Sequence, residues 1–233
     1  QQAAPDHEYF AFLTKPCTKQ QKASPEGLQA MKDEMAKVCK FRGIGKPTAA
    51  SDAMLEKGAT VSSVHMLCSM KFMEKEEKLR KYKGRLVLLG NQIANLITGE
   101  RVNPTGEDFG LFGEVVSLEG VRHCLAHRLR GRGYVCCTVD VRSAYLQAKW
   151  PSRCPKHYIR PHAEIWNTLP PELIAEADKL CKERGISRKD ILFEMESCLY
   201  GHPVSGHAWI ALATETLRAL KFEAEPGFAS CFR

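Results

Sequence analysis

One carboxylate stands where it could do chemistry. Asp140 ends the apolar, β-branched run Tyr134-Val135-Cys136-Cys137-Thr138-Val139, no further acidic residue follows until Glu164, and Arg142, Lys149, Arg153, Lys156 and Arg160 occupy the interval. A carboxylate at the end of a core strand has two uses. It can cap a helix that starts just after it, by accepting N–H bonds, or it can offer oxygen to a hard divalent cation. A helical turn right after Asp140 would keep both uses open. A second chemical feature lies upstream, where the stretch from Lys71 to Arg85 holds seven basic residues (Lys71, Lys75, Lys78, Arg80, Lys81, Lys83, Arg85) against three acidic ones. Such a cluster contacts phosphates, or it keeps the edge of a hairpin soluble. Strand alternation puts Lys83 and Arg85 on one face.

The thiols and imidazoles make a weaker case. Ten cysteines are present, but no C-x-x-C occurs, and structural zinc sites usually carry such knuckles. Cys154 with His157, and His123 with His127, are isolated pairs. The adjacent Cys136 and Cys137 have poor geometry for a bridge, and the spacings form no even framework. Reduced thiols in an intracellular protein are the expectation.

The elements that must position these residues follow from periodicity. Residues 1–23 read as a linker that docks locally through Tyr9, Phe10 and Phe12. Ser24-Pro25-Glu26 is a helix start, and Leu28, Met31, Met35 and Val38 place one apolar face on a helix from 25 to 40. Gly43, Gly45 and Pro47 stop it, and a loop or short irregular element runs to about residue 60. Val61 to Met73 and Tyr82 to Gly90 read as two strands of a hairpin with a charged tip between them. Residues 99–113 are loop, 118–130 helix, and 134–141 a core strand that ends on Asp140. A helix from Pro170 to Gly185, a strand from 193 to 200 and a helix over about 205–220 complete the pattern. No internal repeat is visible.

Composition bounds the classes. The chain has 233 residues, 44% hydrophobic, and a formal charge of +7, which allows a buried core and suits a polyanionic partner as well as plain solubility. No apolar run approaches the roughly 18 residues a membrane helix needs, and no secretory leader pattern opens the chain. The absence of an initial Met and the ending Cys231-Phe232-Arg233 lead us to expect a piece of a longer protein.

The order of the motifs resembles the reverse transcriptase domain of copia-type long-terminal-repeat retrotransposons. Ala30-Met31-Lys32-Asp33-Glu34 matches its A-M-x-x-E helix, and Tyr82 through Gly90 matches Y-K-x-R-L-V-x-x-G. Asp140-Val141-Arg142-Ser143-Ala144-Tyr145-Leu146 matches D-V-x-x-A-[FY]-L, and Leu199-Tyr200-Gly201 with Ala208-Trp209 matches L-Y-G followed by A-W. Each box alone is weak; the ordered set over residues 30–209 is specific. The resemblance implies an α+β right-hand polymerase fold, with packed helices and an antiparallel sheet. Residues 24–133 would be fingers and 134–233 a partial palm.

The implied activity is RNA-directed DNA synthesis by nucleotidyl transfer, within a polyprotein that also carries protease, integrase and ribonuclease H. Its partners would be an RNA template, a DNA or RNA primer and deoxynucleoside triphosphates. It would work in cytoplasmic retrotransposon particles with access to the nucleus. Asp140 would be the first catalytic aspartate and, with the Val141 carbonyl, a ligand for two Mg²⁺ ions, Mn²⁺ being a substitute. Lys71, Lys83, Arg85, Val141, Ala144 and Tyr145 would bind the nucleotide, with Tyr145 under the sugar as a gate against ribonucleotides or, on the plainer reading, as ordinary core. Ser205 and Gly206 would let nucleic acid approach. Two departures stand out. No two aspartates are adjacent anywhere in the chain, so the Y-x-D-D box is expected beyond Arg233, and Val204 stands where the family has Gln. The connection from Gly185 to Leu192 is also longer than usual. The alternative is a decayed or recruited nucleic-acid-binding protein without enzymatic activity.

Overall fold

The computed structural model describes residues 13–102, 116–127, 131, 140–227 and 230–232. The expected strand over 134–141 therefore lies outside the described residues except for Asp140 and Val141, which are not in a strand. Most of the expected 1–23 linker and of the 99–113 loop, and the last turn of the 118–130 helix, also lie outside them.

The first helix pair forms where capping chemistry dictates. Thr18 and Gln21 make a reciprocal capping box at α1, Lys19–Ala23, and the Ser24 hydroxyl accepts the Gly27 N–H at 3.1 Å to start α2, Pro25–Lys40. With Pro25 at the first position, α2 loses no hydrogen bond it would otherwise have made. Met31, Met35 and Val38 are buried on one stripe, but Leu28 is 41% exposed. The apolar face begins one turn later than its periodicity indicates, because only the later turns lie over the sheet.

The expected hairpin is present. β3, Thr60–Lys71, pairs antiparallel with β4, Lys81–Leu88, from Val64↔Leu88 to Lys71↔Lys81. Period-2 alternation turns Val64, Met66, Cys68, Leu86 and Leu88 inward against α2, and leaves Leu67, Ser69, Lys71, Lys81, Lys83 and Arg85 on the other face. A short strand β1, Thr14–Pro16, adds to the free edge of β3, with Thr14 opposite Lys71 and Pro16 opposite Ser69.

The sheet extends through elements that the pattern of apolar residues does not announce. β2, Pro47–Ala49, lies before the one-turn helix α3, Ala50–Ala53, inside the stretch read as loop or irregular. β5 is Ala94–Asn95, and β6 is His157–Arg160. β6 runs parallel to the start of β3 and antiparallel to β7, Ile191–Glu194, and β7 pairs with β2. The order is β1-β3-β6-β7-β2, with β4 and β5 also on β3. The fold is thus mixed α and β, but the sheet is mixed rather than antiparallel. The expected strand over 193–200 begins and ends earlier, because the N–H groups of Glu196 and Ser197 turn to the Arg42 carbonyl at 3.1 and 3.2 Å instead of to a neighbouring strand. Strands from both sides of residue 133 share this one sheet.

The remaining helices are α4, Leu118–His127, α5, Ala144–Gln147, α6, Ala163–Trp166, α7, Pro171–Arg184, and α8, Pro203–Ala219. α7 stops at Gly185, which adopts the left-handed conformation as the sequence predicts. The main core joins Met35, Val38, Leu86, Leu88, Ile159, Phe193 and Leu199 between α2, the sheet and α7. Among the described residues no helix is long and apolar enough to cross a membrane.

Candidate nucleotide and nucleic-acid site

The exposed face of the β1-β3-β4 meander is a basic floor. Thr14, Pro16, Leu67, Ser69, Lys71, Lys83 and Arg85 line a cleft of about 340 Å³. Lys83 is half-buried, and its ammonium is held below its ordinary pKa, first by burial and then by the neighbouring charges of Lys71 and Arg85. Like charges this close repel one another, and a bound anion would relieve the repulsion. Across the strands Lys71 faces Lys81, so the charge continues towards the hairpin tip.

Arg85 leads from this floor to the other boxes. Its guanidinium stands 5.2 Å from the ring centre of Tyr200, within cation–π range, and the Tyr200 ring lies 4.9 Å from that of Tyr145 at a tilt of 34°. The Tyr200 hydroxyl is held above its ordinary pKa by burial; Arg85 opposes this, and Glu34, Tyr145 and Asp140 add to it. The three boxes that carry Arg85, Tyr145 and Tyr200 meet in space, although long segments separate them in the chain.

Local backbone geometry sets this meeting. Asp140 and Val141 are exposed, and Ser143 takes the left-handed conformation at φ 54 as it turns the chain into α5. A non-glycine residue there carries strain that its surroundings must hold. α5 begins at Ala144 with Ser143 at its N-cap position, so Asp140 does not cap that helix. Ala144 and Tyr145 are half-buried, and Tyr145 packs on Ala148, Cys198 and Ala208. Tyr145 thus packs on this small cluster and also meets the Tyr200 ring.

The Leu199-Tyr200-Gly201 segment is fixed from below. The Leu88 N–H donates to the Tyr200 carbonyl at 2.7 Å, and Gly201 sits at φ 94 against the backbone of β4. His202 then caps α8, its Nδ1 accepting the Val204 N–H at 3.1 Å. Ser205 is fully buried and its hydroxyl donates to the Leu199 carbonyl at 2.7 Å. Its hydroxyl thus ties α8 to the tyrosine segment. Gly206 is half-buried, and the Tyr145 hydroxyl lies 3.8 Å from where its Cβ would stand. Val204 is buried as well.

Three further side chains, His157, His202 and Trp150, pack together, and of these the sequence singled out only His157, as an isolated pair with Cys154. His157 is fully buried and bonds Thr60 Oγ1 at 2.8 Å and Ser62 Oγ at 2.9 Å. Its ring lies 4.8 Å from that of His202, and Trp150 stands edge-on to His202 at 4.7 Å. Burial, with the neighbouring His202, pushes His157 well below the usual imidazole range, and burial pushes His202 down to about 4. Both rings are neutral packing and capping groups at pH 7. The Cys154–His157 spacing does not tell a core imidazole from a metal ligand, and nothing in the spacing brings His202 and Trp150 to it.

Among the described residues no group of three or more His, Cys, Asp or Glu side chains is assembled as a metal site. Asp140 and the Val141 carbonyl are hard oxygen donors of the type Mg²⁺ takes, but one carboxylate does not fit the demand of a paired-ion centre. A larger hollow of about 810 Å³ lies between α2 and α7 and includes none of the residues above. No family model, no curated protein and no solved structure matches the chain.

Proposed function

We propose that the chain is the nucleotide- and nucleic-acid-engaging part of an RNA-directed DNA polymerase of a copia-type retrotransposon polyprotein, with a right-hand polymerase fold. The observation that supports the reading is the convergence of Arg85, Tyr200 and Tyr145, beside a cleft floored by Lys71 and Lys83. In this reading Lys71, Lys83 and Arg85 hold the triphosphate or the template backbone, because fixed cations stabilise transferring phosphates without themselves reacting. Tyr145 and Tyr200 offer the sugar and base two tilted aromatic faces. Asp140 would offer one carboxylate towards Mg²⁺, a further carboxylate would have to come from another segment, and the chemistry such ions would supply is neutralisation of phosphate charge.

The chain carries no adjacent aspartate pair, so the expected behaviour of the purified 233 residues is salt-sensitive binding of an RNA–DNA primer–template with no extension. Primer extension by these 233 residues in Mg²⁺ would overturn the assignment of the missing ligands to another segment. Salt-insensitive binding, or none, would overturn the reading itself.

A second reading has its own supporting observation. The position where the family places a nucleotide-contacting Gln is Val204, which is buried. A nucleic-acid-binding protein without polymerase activity fits that substitution. It predicts that a chain extended past Arg233 still binds a primer–template but has no paired aspartates and no extension activity.

A further inference from the structure

We propose that Cys17 and Cys68 are a thiol pair placed to form a reversible cross-strand disulfide that pins β1 onto the basic sheet. The register Pro16↔Ser69 puts Cys17 opposite Cys68, and the Cys17 N–H donates to the Cys68 carbonyl at 3.0 Å. Their sulfurs are 3.6 Å apart, and both side chains are buried, at 8% and 3% exposure. Directly opposed residues of an antiparallel pair have Cα atoms about 4.5–5.5 Å apart, inside the roughly 4.4–6.8 Å that a disulfide spans. The two sulfurs need only close by about 1.5 Å to bond.

Access comes from the edge. β1 is three residues long and exposed throughout, and among the described residues β3 is its one strand partner, so it opens at far less cost than the core. In the closed state burial and the Cys68 thiol push Cys17 up to about 11, which keeps it protonated and leaves the first attack to the opened form. The oxidant is a low-molecular-weight disulfide such as oxidised glutathione. One cysteine thiolate attacks it and releases one glutathione thiol. The second cysteine then displaces the bound glutathione as another thiol. Two electrons and two protons thus pass from the protein to the oxidant as the Cys17–Cys68 bond forms.

The consequence falls on the cleft. Thr14 and Pro16 form one wall of the hollow that holds Lys71, Lys83 and Arg85, so the disulfide holds that wall shut against β3, and reduction frees it to swing out. The proposal does not depend on which anion the cleft takes.

The test is oxidation of the full 233-residue chain in mixtures of reduced and oxidised glutathione, followed by alkylation, digestion and mass spectrometry. The expected result is a Cys17–Cys68 linked peptide roughly tenfold more abundant from the native chain than from the same chain oxidised in concentrated urea, where proximity is lost. Hydrogen exchange at the Cys17 amide should slow by roughly tenfold once the link has formed. Cys17→Ser and Cys68→Ser should each remove the link; if either variant fails to fold, the native-against-urea comparison on the unchanged chain decides alone. Equal yields in both conditions would overturn the proposal, as would a dominant link between any other two cysteines in its place. Unchanged exchange at the Cys17 amide in the linked chain would overturn the pinning of β1.

Discussion

Gly90 and Gly201 are in backbone contact. A Cβ on Gly90 would overlap the Gly201 carbonyl oxygen, and a Cβ on Gly201 would overlap the Leu88 carbonyl oxygen. The end of the basic hairpin and the tyrosine segment therefore meet through two residues without side chains, and the Leu88 N–H bond to Tyr200 closes the contact. This junction places Arg85 over the Tyr200 ring.

Gly201→Ala should accordingly cost more than Gly99→Ala. Both positions have positive φ, but nothing lies within 4 Å of a Cβ on Gly99. We expect a loss of about 2 kcal/mol or more for Gly201→Ala, a fall in Tm of roughly 4–8 °C, and about half of that or less for Gly99→Ala. Urea denaturation of the two variants checks this; equal costs would mean that the junction relaxes freely.

Stability should fall as pH drops below the unfolded imidazole value of about 6.5. The folded pKa values of His157 and His202 are both depressed, His202 to about 4, so the unfolded chain binds more protons than the folded one between about pH 6.5 and 4. The slope of unfolding free energy against pH is then positive in that window, approaching roughly two protons per molecule from this pair. Above it the pair contributes nothing. His202→Asn keeps a capping oxygen for Val204 and should remove about half of the slope; denaturation at several pH values between 7 and 4.5 measures it.

Lys83 should make anion binding sensitive to alkaline pH sooner than an ordinary lysine would. Its depressed pKa means that its charge is lost before the usual value of about 10.5 is reached, so affinity for a primer–template or a triphosphate should fall as pH rises through that lower value. Lys83→Arg should flatten the profile. Lys83→Ala and Arg85→Ala should each weaken binding and reduce the slope of log K against log salt by about 0.7–0.9. A salt slope unchanged in both would place the phosphate contacts elsewhere.

In a chain extended to include a paired-aspartate box, Asp140→Asn should abolish primer extension and leave primer–template binding nearly intact. Loss of both together would assign Asp140 a structural role. Tyr145→Ala in the same chain should relax discrimination against ribonucleotides; unchanged sugar selectivity would leave Tyr145 as packing against Ala148, Cys198 and Ala208 alone.

Much of the local structure could be read in advance. α2 announced itself through Ser24, Pro25 and its stripe of Met and Val, and the β3-β4 hairpin through alternation and a charged tip, because both signals act over a few neighbouring residues. β1, β2, β5 and β6 did not, because strands of two to four residues are too short to show a period, and each exists only where a distant partner supplies its hydrogen bonds. β6, for example, is held by β3 on one side and β7 on the other.

The site divides along the same line. The order of residue types by itself determined which side chains could meet phosphate, that Lys83 and Arg85 share a face, and that Asp140 is isolated among cations, since these follow from strand alternation and from charge along the chain. Tertiary structure alone decided that Arg85, Tyr200 and Tyr145 come together, that Ser205 turns inward to Leu199, and that Cys17 faces Cys68. Those contacts depend on backbone approach between distant segments, as at Gly90 and Gly201, and on strand register, and neither is written in the spacing of neighbouring residues.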